Sequence, residues 1–301
     1  MKQKELMSQV TEKIVRLLEE GDVAKWTKPW VEFGQPKNVL TGRCYTGSIN
    51  LFLLQLSMMD SGFRYPAWAT YLQINEAGGQ VRAGARSTPI VFWKPLDKKD
   101  SQKEQSDGSV LSEEADRNEK RKPKFVLQMF QVFNLDQTTL PREEVLSKLG
   151  MHLRPMTTDA DIEAFVRATE AKVSEQGDRA YYTPVGDEIV LPPKEAFRSA
   201  GDYYSTLLHE LIHWTGHESR LNRKLSTEFG SPEYAREEIV AELGSLYLCA
   251  QLGVAGQLQH KEYLKGWLDI LKKDCREIFH LSSQAQAAAE FLLNSSMVTA
   301  A

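Results

Sequence analysis

The chain has 301 residues, with 37 basic and 41 acidic side chains and a formal net charge of −4. With 42% hydrophobic and 26% charged residues it falls in the ordinary globular range, which excludes a wholly disordered chain, a collagen-like chain and a coiled-coil rod. The near-neutral total gives no sign of a nucleic-acid partner, and the length accommodates one large domain or two ordinary ones.

Cys44, Cys249 and Cys275 are far apart and odd in number, so they form neither a disulfide framework nor a metal knuckle. The opening residues, MKQKELMSQVTEK, lack the apolar segment of a signal peptide, and no stretch reaches the roughly 18 apolar residues of a bilayer span. Reduced cysteines, a cytoplasmic location and no membrane partner are the expectation.

In chain order, Leu6, Val10, Ile14, Leu17 and Leu18 recur at helical spacing over residues 2–20, with Gly21 as a stop. Residues 21–96 then hold 11 aromatics, among them Trp26, Trp30, Trp68 and Trp93, with turn signals between. Asn50 is placed to cap a helix over Leu51–Met58, residues 68–77 read as another helix, and Ser87–Trp93 reads as a strand. Residues 97–124 carry eight acidic and eight basic side chains and almost no apolar ones, too few to offset ordering entropy. They read as a flexible charged insertion. The β-forming run 125–137 follows, and pairing it with Ser87–Trp93 would make the insertion a hairpin loop; an interdomain linker is the alternative.

Helices are expected over 141–150, 158–176, 202–216, 233–252, 260–274 and 281–294, and a short strand over Glu188–Leu191. The domain boundary falls near 140–158. Splitting the charge by region gives 12 − 8 = +4 for residues 1–96, 8 − 8 = 0 for 97–124 and 17 − 25 = −8 for 125–301. The neutral total therefore averages a basic aromatic module and an acidic helical one.

The sharpest motif is His209-Glu210-Leu211-Ile212-His213, an HExxH. On a helix, positions i and i+4 share one face, so both imidazoles can reach one ion, while the intervening glutamate reaches a metal-bound water as general base. A catalytic zinc site needs a third protein ligand. The pattern with a third histidine six residues on fails, because Ser219 stands there and His217 is two residues early. The following helix offers Glu238 as the ligand and Glu242 as acceptor for a histidine N–H, with the reverse assignment open; Glu237 reads as a solvated neighbour. Zinc is the default ion, and manganese, cobalt or iron would also fit two imidazoles and a carboxylate. Tyr182, Tyr203, Tyr204 and His217 are candidate oxyanion donors, and Glu188–Leu191 a candidate edge strand for an extended peptide.

In the basic module Lys25, Trp26, Lys28, Trp30, Lys37, Asn38, Arg43, Tyr45, Trp68 and Arg82 mix aromatic faces with cationic groups. That is the composition that holds single-stranded nucleic acid. Tyr71 and Lys94 belong to the same mixture.

Both halves resemble the ArdC-type antirestriction proteins. The resemblance runs through Trp26-x-x-Pro29-Trp30, Pro36-Lys37-Asn38, Thr41-Gly42-Arg43-x-Tyr45-x-Gly47-x-Asn50, Trp68-x-Thr70-x-x-Gln73, Gly79-x-Val81-Arg82-x-Gly84 and Val132-Phe133-Asn134. In the second half it runs through Tyr203–Arg223 and Tyr234–Leu243. It implies an α+β chain of two domains. Residues 1–145 would be a mixed α/β domain binding single-stranded DNA, carrying the 97–124 insertion. Residues 146–301 would be a mainly helical, zincin-like metallopeptidase domain with a small sheet. It further implies protection of incoming plasmid DNA during conjugation and an unidentified protein substrate, with the host restriction machinery a candidate. The competing expectation is a protein that only binds DNA and whose metal site is structural or vestigial.

Overall fold

The computed structural model describes residues 3–20, 34–95, 125–151, 158–225, 228, 230–254 and 264–298. Helix α1 (Gln3–Glu20) turns Val10, Ile14, Leu17 and Leu18 inward, at the spacing its sequence predicts. Helix α2 (Ser48–Ser61) is apolar on every side and is buried from Ser48 to Met58, the only setting that suits a helix without a polar face. Gly62 ends it in the left-handed region, φ 66°, with its N–H on the Met58 carbonyl. Asn50 does not cap this helix but sits inside it. Its side chain accepts from Val91 N–H at 2.8 Å and donates to Val91 O at 2.9 Å, tying α2 to the sheet.

Residues 68–77 are not one helix. Strand β2 (Ala67–Thr70) runs into helix α3 (Tyr71–Glu76), where Thr70 and Gln73 form a reciprocal cap. With β1 (Lys37–Asn38), β3 (Thr88–Pro95) and β4 (Phe125–Asn134) the first sheet has the order β1-β2-β4-β3. Strands β3 and β4 pair antiparallel from Thr88↔Val132 to Pro95↔Phe125, the hairpin expected from the sequence. The 97–124 insertion between these partners lies outside the described residues.

Helix α4 (Arg142–Lys148) follows, then α5 (Asp159–Ala168). The helix expected to run to 176 stops at Ala168. Glu170 turns the chain at φ 61°, and Val173 lies on strand β5 (Lys172–Glu175). With β6 (Tyr181–Thr183) and β7 (Glu188–Leu191) this forms a second sheet, order β5-β7-β6. Strand β7 is therefore central, with a partner on each side, and is not the edge strand expected. Helices α6 (Ala200–Thr215), α7 (Pro232–Leu252), α8 (Leu264–Lys273) and α9 (Glu277–Val298) complete the chain.

One continuous core joins Val10, Ile14, Leu53, Trp68 and Leu127 from the first half to Leu208, Leu211, Leu246, Leu248 and Leu292 from the second. A smaller core under the first sheet collects Tyr65, Ile74, Leu135, Val145 and Leu149. Helix α1 is tied to the α8–α9 region, through Thr11 Oγ1 on Cys275 O at 2.8 Å and Glu19 with Lys272 at 2.5 Å. Two domains of mixed α+β structure thus share an interior. Among the described residues no helix is long and apolar enough to cross a membrane.

Candidate metal centre

Helix α6 starts on Ser199, whose side chain accepts from Asp202 N–H, and buries Leu207, Leu208, Leu211 and Ile212 around the HExxH. Helix α7 starts on Ser231, with Pro232 in its first turn, and is buried from Glu237 through Ala250. The two helices approach closely at Gly244, where a Cβ would lie 2.7 Å from Ile212 Cδ1. This approach sets the α7 glutamates against the α6 histidines.

His209 Nε2 and His213 Nε2 stand 3.2 Å apart. Each faces the Glu238 carboxylate, at 3.6 Å. The three ligand atoms lie within 4.8 Å of one another. Two imidazole nitrogens bound at about 2.0–2.1 Å to one tetrahedral ion stand about 3.3–3.4 Å apart, so the observed pair matches a shared ion without rearrangement. The residues present fit a divalent metal.

The outer nitrogens are also placed. His209 Nδ1 lies 3.4 Å from Glu242 Oε2, the position in which Glu242 would accept from that imidazole. His213 Nδ1 lies 3.2 Å from Glu237 Oε1, so Glu237 is a buried partner and not a solvated neighbour. Arg223 donates to Glu237 at 2.7 and 3.1 Å, and to Ile212 O and Thr215 Oγ1 at the end of α6. Gly216 makes room for it, since a Cβ there would lie 3.0 Å from Arg223 Nη2 and 2.7 Å from Leu225 Cδ2. Each imidazole therefore has its own carboxylate behind it, an arrangement that would fix the ring and leave Nε2 to face an ion. Arg223 offers no signal in the sequence beyond its position after the motif.

Burial disfavours a charge on His209, but Glu238 and Glu242, helped by the Glu210 charge, outweigh it and raise the imidazole to about 10. Burial pushes the Glu210 carboxyl up, against the neighbouring imidazoles and a hydrogen bond from the Tyr182 backbone. Glu237 is held low despite its burial, by His213 and Arg223. Tyr182 lies on β6, an edge strand among the described residues, and the main chain there meets the HExxH glutamate.

The candidate oxyanion donors have other partners. Tyr203 Oη donates to Glu175, Tyr204 Oη to Glu163, Tyr182 Oη to Asp187, and His217 Nδ1 meets Ser219. Arg220 clamps Asp187 at the β6–β7 turn, with Nη1 on Oδ2 at 2.9 Å, and its guanidinium lies 3.8 Å from the Trp214 ring centre.

In the first domain the sequence candidates separate. Trp68 is fully buried with its ring edge-on to Phe63, because β2 lies between β1 and β4. Tyr45 and Asn38 are buried and bonded to each other at 3.0 Å, and burial raises the tyrosine to about 12. These three are internal supports and not surface contacts. Lys37 donates to Leu149 O at 2.8 Å. Arg43 and Arg82 are exposed. Lys25, Trp26, Lys28 and Trp30 lie outside the described residues.

Two stretches of the chain match known protein families. Residues 4–133 match the family described as the N-terminal domain of anti-restriction factor ArdC, and residues 160–284 match a zincin-like metallopeptidase family. Two crystal structures of the antirestriction ArdC protein from the R388 plasmid are similar over 97% of this chain and 98% of theirs. The metal-free form has 37% identity and a TM-score of 0.71, and the Mn(II)-bound form 36% and 0.69. DNA primase TraC of Escherichia coli is 36% identical over 95% of this chain, which spans only 27% of that protein. The protein y4eC of Sinorhizobium fredii is 32% identical over 91% of its length. With both halves matched and a structural relative covered almost end to end, the chain belongs to the ArdC antirestriction family and carries that family's zincin-like domain.

Proposed function

We propose that the protein binds single-stranded DNA through its first domain and is a zinc-dependent metallopeptidase in its second, protecting plasmid DNA as it enters a new host cytoplasm. The convergence of His209 Nε2, His213 Nε2 and Glu238 on one point, with Glu210 beside it, carries the enzymatic half. Zinc suits this ligand set, and the R388 relative has been solved with Mn(II), so manganese is the second candidate. The ion would polarise the scissile carbonyl and lower the pKa of its water to about 7. Glu210 takes a proton from the attacking water and returns it to the leaving nitrogen. The Tyr182 N–H aims its carboxylate, and the open edge of β6 gives an extended peptide a main-chain template beside it. The substrate would be a host protein, with a component of the restriction machinery the first to test.

One observation favours a second reading. His209, Glu210 and Glu238 are all under 5% exposed, a closure more typical of structural metal sites. Glu210→Gln separates the two. Transfer of unmodified plasmid into a restricting recipient is measured beside metal content and oligo(dT) affinity. A variant that keeps metal and DNA but loses protection supports hydrolysis. Undiminished protection makes the site structural.

A further inference from the structure

The first sheet carries a feature that the metal centre and the buried tryptophan leave unused. A groove of about 560 Å³ opens between α3 and the β3–β4 hairpin, within the roughly 300–1,000 Å³ of small-ligand sites. Its walls include Tyr71, Phe92 and Phe130, respectively 55%, 41% and 43% exposed. Phe92 and Phe130 meet edge to face at 5.8 Å across the two strands. Aromatic side chains left this open on one face mark an interaction surface.

The floor is polar and fixed. Asn38 Nδ2 donates to Tyr45 Oη at 3.0 Å and to Gln73 Oε1 at 2.9 Å, and Thr70 N–H also donates to Gln73 Oε1. The Gln73 amide oxygen is thus occupied, and its amide nitrogen makes no hydrogen bond among the described residues. The groove therefore offers flat apolar walls and one spare donor pair.

Charge narrows the occupant. Among the described residues no acidic side chain lines the groove, and residues 34–95 hold six basic against two acidic side chains. Lys94 lies two residues from Phe92 on the same face of β3, and Arg43 and Arg82 are exposed in the same domain.

We propose that this groove seats unpaired bases of single-stranded DNA, stacked on Phe92, Phe130 and Tyr71, with the Gln73 amide nitrogen toward a base-edge acceptor and the basic side chains toward phosphates. The inference rests on the DNA-binding reading above and gives it an address different from the tryptophans. Stacking needs a π face and an unpaired base, which makes two controls available.

The test measures affinity of the full-length protein for a short oligo(dT) and for a duplex of equal length. Phe92→Leu and Phe130→Leu are each expected to weaken oligo(dT) binding about 5- to 100-fold, while Phe130→Tyr keeps it and duplex binding does not change. Both phenylalanines are well exposed, so folding should survive, and circular dichroism checks this. Wild-type affinity in both leucine variants overturns the groove but leaves the DNA reading standing. No binding by the wild-type protein removes that reading itself. Variants that bind oligo(dT) normally but sediment as a smaller species make the groove an interface between copies, which also overturns the proposal.

Discussion

Arg223 and Glu237 form a buried ion pair behind the candidate metal centre, with the guanidinium donating to the carboxylate at 2.7 and 3.1 Å. Their side chains are 6% and 8% exposed. The pair joins the loop after α6 to α7 and holds His213 by its outer nitrogen. A charge so placed depends on its partner, and removing one member leaves the other uncompensated at a cost of about 3–5 kcal/mol. Arg223→Met should therefore lower the thermal midpoint strongly. Glu237→Gln keeps the shape but weakens the hold on the imidazole, and metal affinity should fall about 10- to 100-fold in a chelator competition.

The spacing of α6 and α7 is set at Gly244. Gly244→Ala would place a methyl against Ile212 at 2.7–3.1 Å. Overpacking of this kind costs about 1–3 kcal/mol. Unfolding should show that loss, and adding Ile212→Val should recover part of it. Full stability in Gly244→Ala would mean the helices can part without penalty.

Asp187 couples pH to the β6–β7 turn. Hydrogen bonds from Arg220 hold its carboxyl below the ordinary value near 3.8. A depressed carboxylate stabilises the fold above its unfolded pKa, and that stability is lost as pH falls through the lower folded value. Asp187→Asn tolerates the positive φ of 45° and isolates the charge. Asp187 is 40% exposed, so screening limits the difference to about 1 kcal/mol or less. Wild type should exceed the variant near pH 6, and the gap should close on acidification below about pH 3. A constant gap would assign the effect to shape.

Trp68 and the two exposed arginines should separate stability from DNA affinity. Trp68→Ala removes a fully buried ring and should cost about 3–5 kcal/mol. Arg43→Ala and Arg82→Ala should leave stability within about 0.5 kcal/mol. Each should reduce the salt dependence of oligo(dT) binding by roughly 0.7–1 in log–log slope if it meets a phosphate. An unchanged slope removes that arginine from the interface.

The pair of histidines that could hold a metal is legible because HExxH is a local pattern, read on one helix with a cap before it. Glu238 and Glu242 followed from one-turn spacing on the next helix. Glu237 is not legible: its spacing reads as a solvated face, whereas α7 is enclosed on nearly every side and a loop arginine supplies the opposite charge. The β3–β4 hairpin was readable from two apolar runs. The place of Glu188–Leu191 was not, because strand order depends on chain far from the strand, and β5 and β6 enclose it. The helix expected through 176 failed at Glu170, a left-handed turn that no glycine announced. Tryptophan content pointed to bases, but composition does not separate a ring between two strands from one on the surface. Phe92 and Phe130 read as ordinary strand residues until the sheet showed which face stays open.

His209, His213 and Glu238 are expected to hold one divalent ion between them. Anomalous scattering from crystals grown with zinc tests it most directly. A single strong peak is expected about 2.0–2.2 Å from His209 Nε2, His213 Nε2 and a Glu238 oxygen, with Glu237 and Glu242 on the outer ring nitrogens. A peak bound by Glu242 in place of Glu238, or no peak between the two imidazoles, would contradict it.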